Sequence, residues 1–121
     1  MDTSKSPKED RTYTAGASVF SGRPDPTWSV SEEAGRKLQQ LFDGLEKHDG
    51  STVAAPPLGY RGVFLRDNAG HEWFAYREVV TLTGPTRSEA RKDAGRQFER
   101  AIVSSAPQGL IPAALLAQEF D

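Results

Sequence analysis

The spacing of apolar positions along this chain changes several times, and each change predicts an element. Thr14 to Ser21 is small and β-tolerant with Val19 and Phe20 at its apolar end, which predicts a strand over about 16–22. Gly22 then accepts a positive φ, and Pro24 and Pro26 hold Arg23 and Asp25 extended, so the chain leaves the strand as a stiff elbow that reaches Trp28. Ser31 is a good N-cap, with Glu32 and Glu33 in the first turn where the helix dipole favours anions. Ala34, Leu38, Leu41, Phe42 and Leu45 follow at helical spacing on one side, weakened by Gly35 and Gly44 and ended by Asp49-Gly50. A loop over 49–59 carries Pro56 and Pro57. Tyr60 to Arg66 and His71 to Leu82 then read as two strands joined at Asp67-Asn68-Ala69-Gly70, which supplies Asp, Asn and Gly where a four-residue hairpin loop wants them. Gly84-Pro85 breaks the pattern. Ala90, Ala94, Phe98, Ala101 and Ile102 predict a second one-sided helix over about 88–104, closed by Pro107 and Gly109.

The predicted order is β-α-β-β-α. A right-handed crossover makes the first two strands parallel, and the long third strand fits between them. The expected fold is α+β, a three-stranded sheet of order 1-3-2 with two helices on one face, ferredoxin-like but lacking the last strand. Strand one would then be a free edge. Met1 to Thr14 is nearly devoid of apolar residues and predicts a disordered tail over 1–14. A single domain over 15–106 and an apolar C-terminal tail over 107–121 that docks on it complete the organisation.

Register decides what the hairpin displays. Pairing through a four-residue turn sets residue 65 opposite 72 and residue 64 opposite 73. One face then carries Val63, Leu65, Phe74, Tyr76, Val80 and Leu82, the natural seat for helices. The other carries Tyr60, Phe64, Trp73, Ala75 and Val79 with Arg66, His71 and Arg77, an aromatic and cationic surface of the kind on which bases stack. Arg61-Gly62-Val63-Phe64-Leu65 is similar to the RNA-recognition-motif strand signature, but it stands in the wrong strand and the partner motif is missing. The plainer reading covers this face with Trp28 and with Leu110, Ile111, Leu115, Leu116 and Phe120 of the tail. Glu78 on the intended core face signals a bulge.

Composition narrows the chemistry. The chain has 121 residues, 36% hydrophobic, with a formal net charge of -2, so no overall field draws it to nucleic acid or an anionic membrane. Cysteine is absent, which removes disulfides, thiolate metal sites and thiol nucleophiles together. No secretory signal and no membrane-length apolar run are evident, and a soluble, cytoplasmic protein is the expectation. Arg87, Arg91, Lys92, Arg96 and Arg100 make the second helix look basic, but Glu89, Asp93 and Glu99 interleave with them as on a solvated, ion-paired face. His48 and His71 are the only histidines. Asp67, His71 and Glu72 flank a turn without matching a metal motif, and no nucleophile elbow or phosphate-binding loop is present. No enzyme, metal or cofactor is predicted, although a hydrolase using His71 is the third hypothesis. Arg23 reads either as a fixed hook for a carboxylate or phosphate, or as a partner for Asp25 or Glu32.

The string Phe20-Ser21-Gly22-Arg23-Pro24-Asp25-Pro26-Thr27-Trp28, with Leu58-Gly59-Tyr60-Arg61-Gly62 downstream, resembles a group of small uncharacterised bacterial proteins. They share a Ser-Gly-Arg-Pro-Asn/Asp-Pro-x-Trp elbow and a Gly-Tyr-Arg-Gly start to a strand. The resemblance covers roughly 18–82 and implies no activity. The layout alone is also similar to emfourin-type inhibitors of thermolysin-like metalloproteases, a fold-level analogy that carries no residue across. The leading expectation is a non-catalytic module that binds another protein, with inhibition of a protease as one form. Ser21, Gly22, Arg23, Asp25 and Trp28 would make the contact, with edge strand one open to strand addition. The alternative expectation is single-stranded nucleic acid or a small anionic ligand on the open face, held by Tyr60, Arg61, Phe64 and Trp73.

Overall fold

The computed structural model describes residues 11–19, 24–49 and 59–120. Among these residues it is α+β, with one seven-stranded sheet and three α-helices, in place of the expected ferredoxin-like sheet of three strands and two helices. The strands are β1 (Tyr13–Ala17), β2 (Thr27–Val30), β3 (Glu46–Lys47), β4 (Val63–Asp67), β5 (Glu72–Tyr76), β6 (Val79–Thr83) and β7 (Ser88–Lys92), and the helices are α1 (Glu32–Asp43), α2 (Gln97–Ser104) and α3 (Ala113–Phe120). The sheet order is β2-β1-β4-β5-β6-β7-β3, antiparallel at every pairing.

Four local events account for the difference. The stretch expected to be an elbow turns back as a strand, because Pro24 and Pro26 favour the extended backbone a strand also needs. Ala17 N donates to Pro26 O at 3.1 Å, and Trp28 pairs with Ala15 in β2. Strand one therefore lies inside the sheet, and among the described residues the sheet ends at β2 and β3. The long third strand is two strands folded at Arg77-Glu78, where Tyr76 faces Val79 and both turn residues have positive φ, 45° and 71°. Ser88–Lys92 continues the meander as β7 instead of opening a helix. Helix α2 starts only after Asp93, whose carboxylate accepts from Phe98 N at 2.8 Å and Glu99 N at 3.0 Å.

The fourth event is a one-residue slip in the first hairpin. Asp67 Oδ1 accepts from Ala69 N and His71 N, both at 2.9 Å, and Gly70 takes φ 91°. Asp67 N bonds His71 O, so the loop is tied one position later than a four-residue turn would be. Leu65 consequently faces Trp73, and Phe64 faces Phe74. A slip of one exchanges the faces of a strand. Ala15, Leu65, Trp73 and Leu82 form one row across the sheet, and Ala17, Val63, Ala75 and Val80 the next. These rows, with Phe42 of α1 and Phe98 and Ile102 of α2, are the buried core. Phe42 and Phe98 meet edge to face at 6.3 Å.

Helix α1 is capped as the sequence leads one to expect, with Ala34 N donating to Ser31 Oγ at 3.1 Å. Its far end has no basic residue in the last turn. Arg91 reaches over from β7 instead, and its Nη1 donates to the carbonyls of Phe42, Asp43 and Leu45 at 3.3, 3.0 and 2.9 Å. Glu89 Oε1 holds that guanidinium at 2.8–3.0 Å. Loose carbonyls at a helix end thus gain a fixed cation, which the helix dipole also favours.

Candidate functional site

The residues expected to form a contact surface are distributed through the fold. Ser21, Gly22 and Arg23 lie outside the described residues. Asp25 Oδ1 accepts from Val19 N at 3.2 Å and lies 4.0 Å from Arg61 Nη2, so these two predicted residues meet at the end of β1. Trp28 is buried in β2, with its Nε1 donating to Ser105 Oγ at 2.8 Å. Phe64 and Trp73 point to opposite faces because of the register slip, which dissolves the expected aromatic platform. Trp73 is part of the core. Phe64 is buried on the other side over Gly16, where a Cβ would stand 2.2 Å from the ring, and the Arg66 guanidinium lies 4.2 Å above it.

Tyr60 is buried and donates to Glu99, whose side chain is fully enclosed. Glu99 Oε1 accepts from Arg77 N at 3.0 Å and Arg96 Nε at 2.9 Å, and Oε2 accepts from Tyr60 OH and, at 2.8 Å, from Arg96 Nη2. Both carboxylate oxygens are therefore satisfied twice. Burial, reinforced by the neighbouring Glu99 charge, pushes the Tyr60 phenol far up. The Glu99 hydrogen bonds hold Arg96 firmly charged. Burial likewise raises the Asp93 carboxyl against the pull of its two amide donors. Asp93 and Glu99 were expected on a solvated helix face; both are fully buried. Their role is architectural: they fix the start of α2 and the Arg77-Glu78 turn.

The same cluster pins the last helix. Glu119 meets Arg77 at 2.9 Å and Arg96 at 3.0 Å, and the Phe120 ring stands edge-on to Tyr60 at 5.7 Å. Helix α3 reads AALLAQEF, polar only at Gln118 and Glu119, yet none of its residues is buried. A helix this apolar is ordinarily enclosed. Two adjoining cavities of about 320 and 350 Å³ run along its seam with α2, sharing Val103, Ala113 and Leu116, the first bounded by Arg100 and Phe120. Sequence reasoning had named none of Arg100, Val103, Ala113 or Ala117 as contact residues. The available signal was the apolar segment after Gly109.

The seam's anchor responds to acid. Burial alone would raise the Glu119 carboxyl, but its bonds to Arg77 and Arg96 outweigh that and hold it below its ordinary 4.5. A lowered carboxyl stabilises the folded arrangement above the unfolded value and loses that contribution as pH falls through the folded one. Amide spectra of 113–120 followed below pH 4.5 are expected to report loosening of α3 ahead of the sheet, and Glu119→Gln is expected to flatten that response. Loosening of sheet and helix together at one pH would contradict it.

Among the described residues no helix is long and apolar enough to cross a membrane, and no group of three or more His, Asp or Glu is placed to hold a metal ion. Compared with family models, with curated proteins and with solved structures, the chain matches none.

Proposed function

We propose that this protein is a small non-catalytic binding module, and that it engages an amphipathic helix of another protein along the α2–α3 seam. The observation that carries this reading is α3 itself, an apolar helix anchored at Glu119 and Phe120 with none of its residues buried. Ala113, Ala114 and Ala117 are exposed, and Leu115, Leu116 and Phe120 are only partly covered where they pack against the core; apolar surface left partly open beside a groove is a feature of interaction sites. The seam suits a helix laid lengthwise: Val103, Ala113, Leu116 and Ala117 offer small and branched side chains, and the small ones permit close approach. Arg100 at one end favours a partner that carries a carboxylate beside its apolar stripe. Inhibition of a protease is one form such binding would take.

Peptide-display selection on the full-length chain tests it. The expected winners carry apolar residues at i, i+3, i+4 and i+7 with a flanking acid. Ala117 is exposed, so Ala117→Arg is expected to preserve the melting temperature and weaken these peptides by at least about tenfold. Winners of extended or basic character, or peptides indifferent to Ala117→Arg, would overturn the reading. So would sedimentation showing that the chain pairs with itself through this seam.

A further inference from the structure

A second cleft is polar and shares no lining residue with the α2–α3 seam. It encloses about 200 Å³ and is lined by Arg11, Gln39, Asp43, His71, Trp73, Leu82 and Arg87. We infer that this cleft binds a small oxyanion, the carboxylate or phosphate group of a compact metabolite, around the indole N–H of Trp73.

Four observations lead there. Trp73 is 3% exposed, and among the described residues its Nε1 meets no hydrogen-bond acceptor. An indole nitrogen only donates, and a buried donor left unmet costs about 1–3 kcal/mol, so an acceptor brought into the cleft recovers free energy there. His71 stands beside it, with ring centres 5.8 Å apart. Its Nδ1 is 3.0 Å from Asp67 Oδ2, and the Asp67 side chain is fully buried, so the ring is held by one nitrogen; the other donates to a ligand oxygen when the ring is doubly protonated and accepts from a ligand hydroxyl when it is neutral. Asp67 also holds Arg11, at 3.3 Å, and thereby sets a guanidinium on the rim. Gln39 spends its carbonyl oxygen on Tyr13 OH at 3.2 Å, which leaves its amide N–H groups as the part still to be used. Among the described residues the lining thus offers the Trp73 N–H, the Gln39 amide and two guanidinium groups as donors, with Asp43 as its carboxylate.

Charge sets the scale of the ligand. Arg11 faces Asp67, and Arg87 faces Glu89, so the cations are already balanced. Binding therefore rests on directed hydrogen bonds more than on a field, and it favours a single small group over a polyanion. At roughly 30 Å³ per water-sized group, the cleft holds about six or seven such groups, which admits phosphate or a short carboxylic acid and excludes a nucleotide.

Indole resonances give a direct readout. The chain has two tryptophans, and Trp28 serves as the internal reference because its N–H is engaged by Ser105. Titration of the full chain with inorganic phosphate, and separately with acetate, at constant ionic strength is expected to shift the Trp73 indole signal saturably and leave Trp28 in place. The anion that saturates at the lower concentration identifies the source of the oxyanion. Arg87, exposed on its turn, is expected to lose at least about tenfold in affinity as Arg87→Ala without a change in melting. His71→Asn gives a second, independent loss. Ala117→Arg is expected to leave the titration unchanged, which separates this site from the seam. Shifts that are linear, equal with chloride or unaffected by Arg87→Ala would overturn the assignment, as would a Trp73 signal silent to both anions.

Discussion

Glu99→Ala is expected to destabilise the fold by about 3–5 kcal/mol, the loss typical of removing one partner from a buried ion pair. The side chain is fully enclosed and receives four hydrogen bonds, two of them from the Arg96 guanidinium. Without it Arg96 keeps one carboxylate, Glu119, and Tyr60 and the Arg77 amide keep none from this cluster. The strained backbone makes matters worse. Arg77, Glu78 and Arg96 all hold positive φ, at 45°, 71° and 57°, and the Arg77 amide and the Arg96 side chain are fastened to Glu99. Against a total stability of about 5–15 kcal/mol for a domain, the substitution removes a large share. Urea unfolding monitored by far-ultraviolet dichroism checks it. Combining Glu99→Met with Arg96→Met and Tyr60→Phe is expected to cost less than Glu99→Ala alone, because no uncompensated charge then remains. Additive losses would show that the cluster does not act as a unit.

Trp28→Ala is the second large effect, expected at about 3–5 kcal/mol and a melting temperature lower by roughly 15–30 °C. Trp28 is 7% exposed on an edge strand, and its indole N–H reaches Ser105, whose hydroxyl in turn donates to Ile102 O at 2.6 Å. The side chain therefore ties the outermost strand to the end of α2. Trp28→Phe, which keeps most of the apolar volume and drops the hydrogen bond, is expected to cost about 1–2 kcal/mol. Calorimetric melting of the two variants separates packing from bonding, and a phenylalanine variant as damaged as the alanine one would refute the packing account. Trp28 is accordingly a poor choice for probing partner binding, since losing it disturbs the fold first.

Legibility tracked how local each cause is. The start of α1 depends on Ser31, Glu32 and Glu33 acting on amides a few residues away, and it was readable. The hairpin at Asp67 to Gly70 was readable as a turn, but its register depends on which amides the Asp67 carboxylate captures, a choice composition does not announce. The Arg77-Glu78 turn showed only as Glu78 on the intended core face, which reads as a bulge and not as a turn. Two non-glycine residues hold positive φ because the Arg77 amide bonds Glu99, its side chain bonds Glu119, and Glu78 O accepts from Asp93 N. Each partner lies at least fifteen residues further along the chain. Ser88–Lys92 has alanine and charges where a strand usually has branched residues, and it is a strand because β6 and β3 flank it. Of the contact surfaces, the apolar tail was visible in composition. The lack of buried residues in α3 is a property of packing, and no pattern along the chain could reveal it.

Helix α1 follows β2 directly and leads directly into β3, and those two strands are the opposite edges of the sheet. Laid flat, seven strands at about 4.8 Å would set the edges about 29 Å apart, whereas the 12 residues of α1 span only about 18 Å. The short linkers on either side, residue 31 and residues 44–45, must supply the rest of the reach, so the helix and its linkers cross the sheet from one margin to the other with little slack. A single helix thus joins the two edge strands of the sheet. Both unpaired margins are short, and both are moored to the one element that Ser31 and Arg91 clasp at its ends. Any event that frees that helix loosens both edge strands at once, and edge strands are the templates for intermolecular growth.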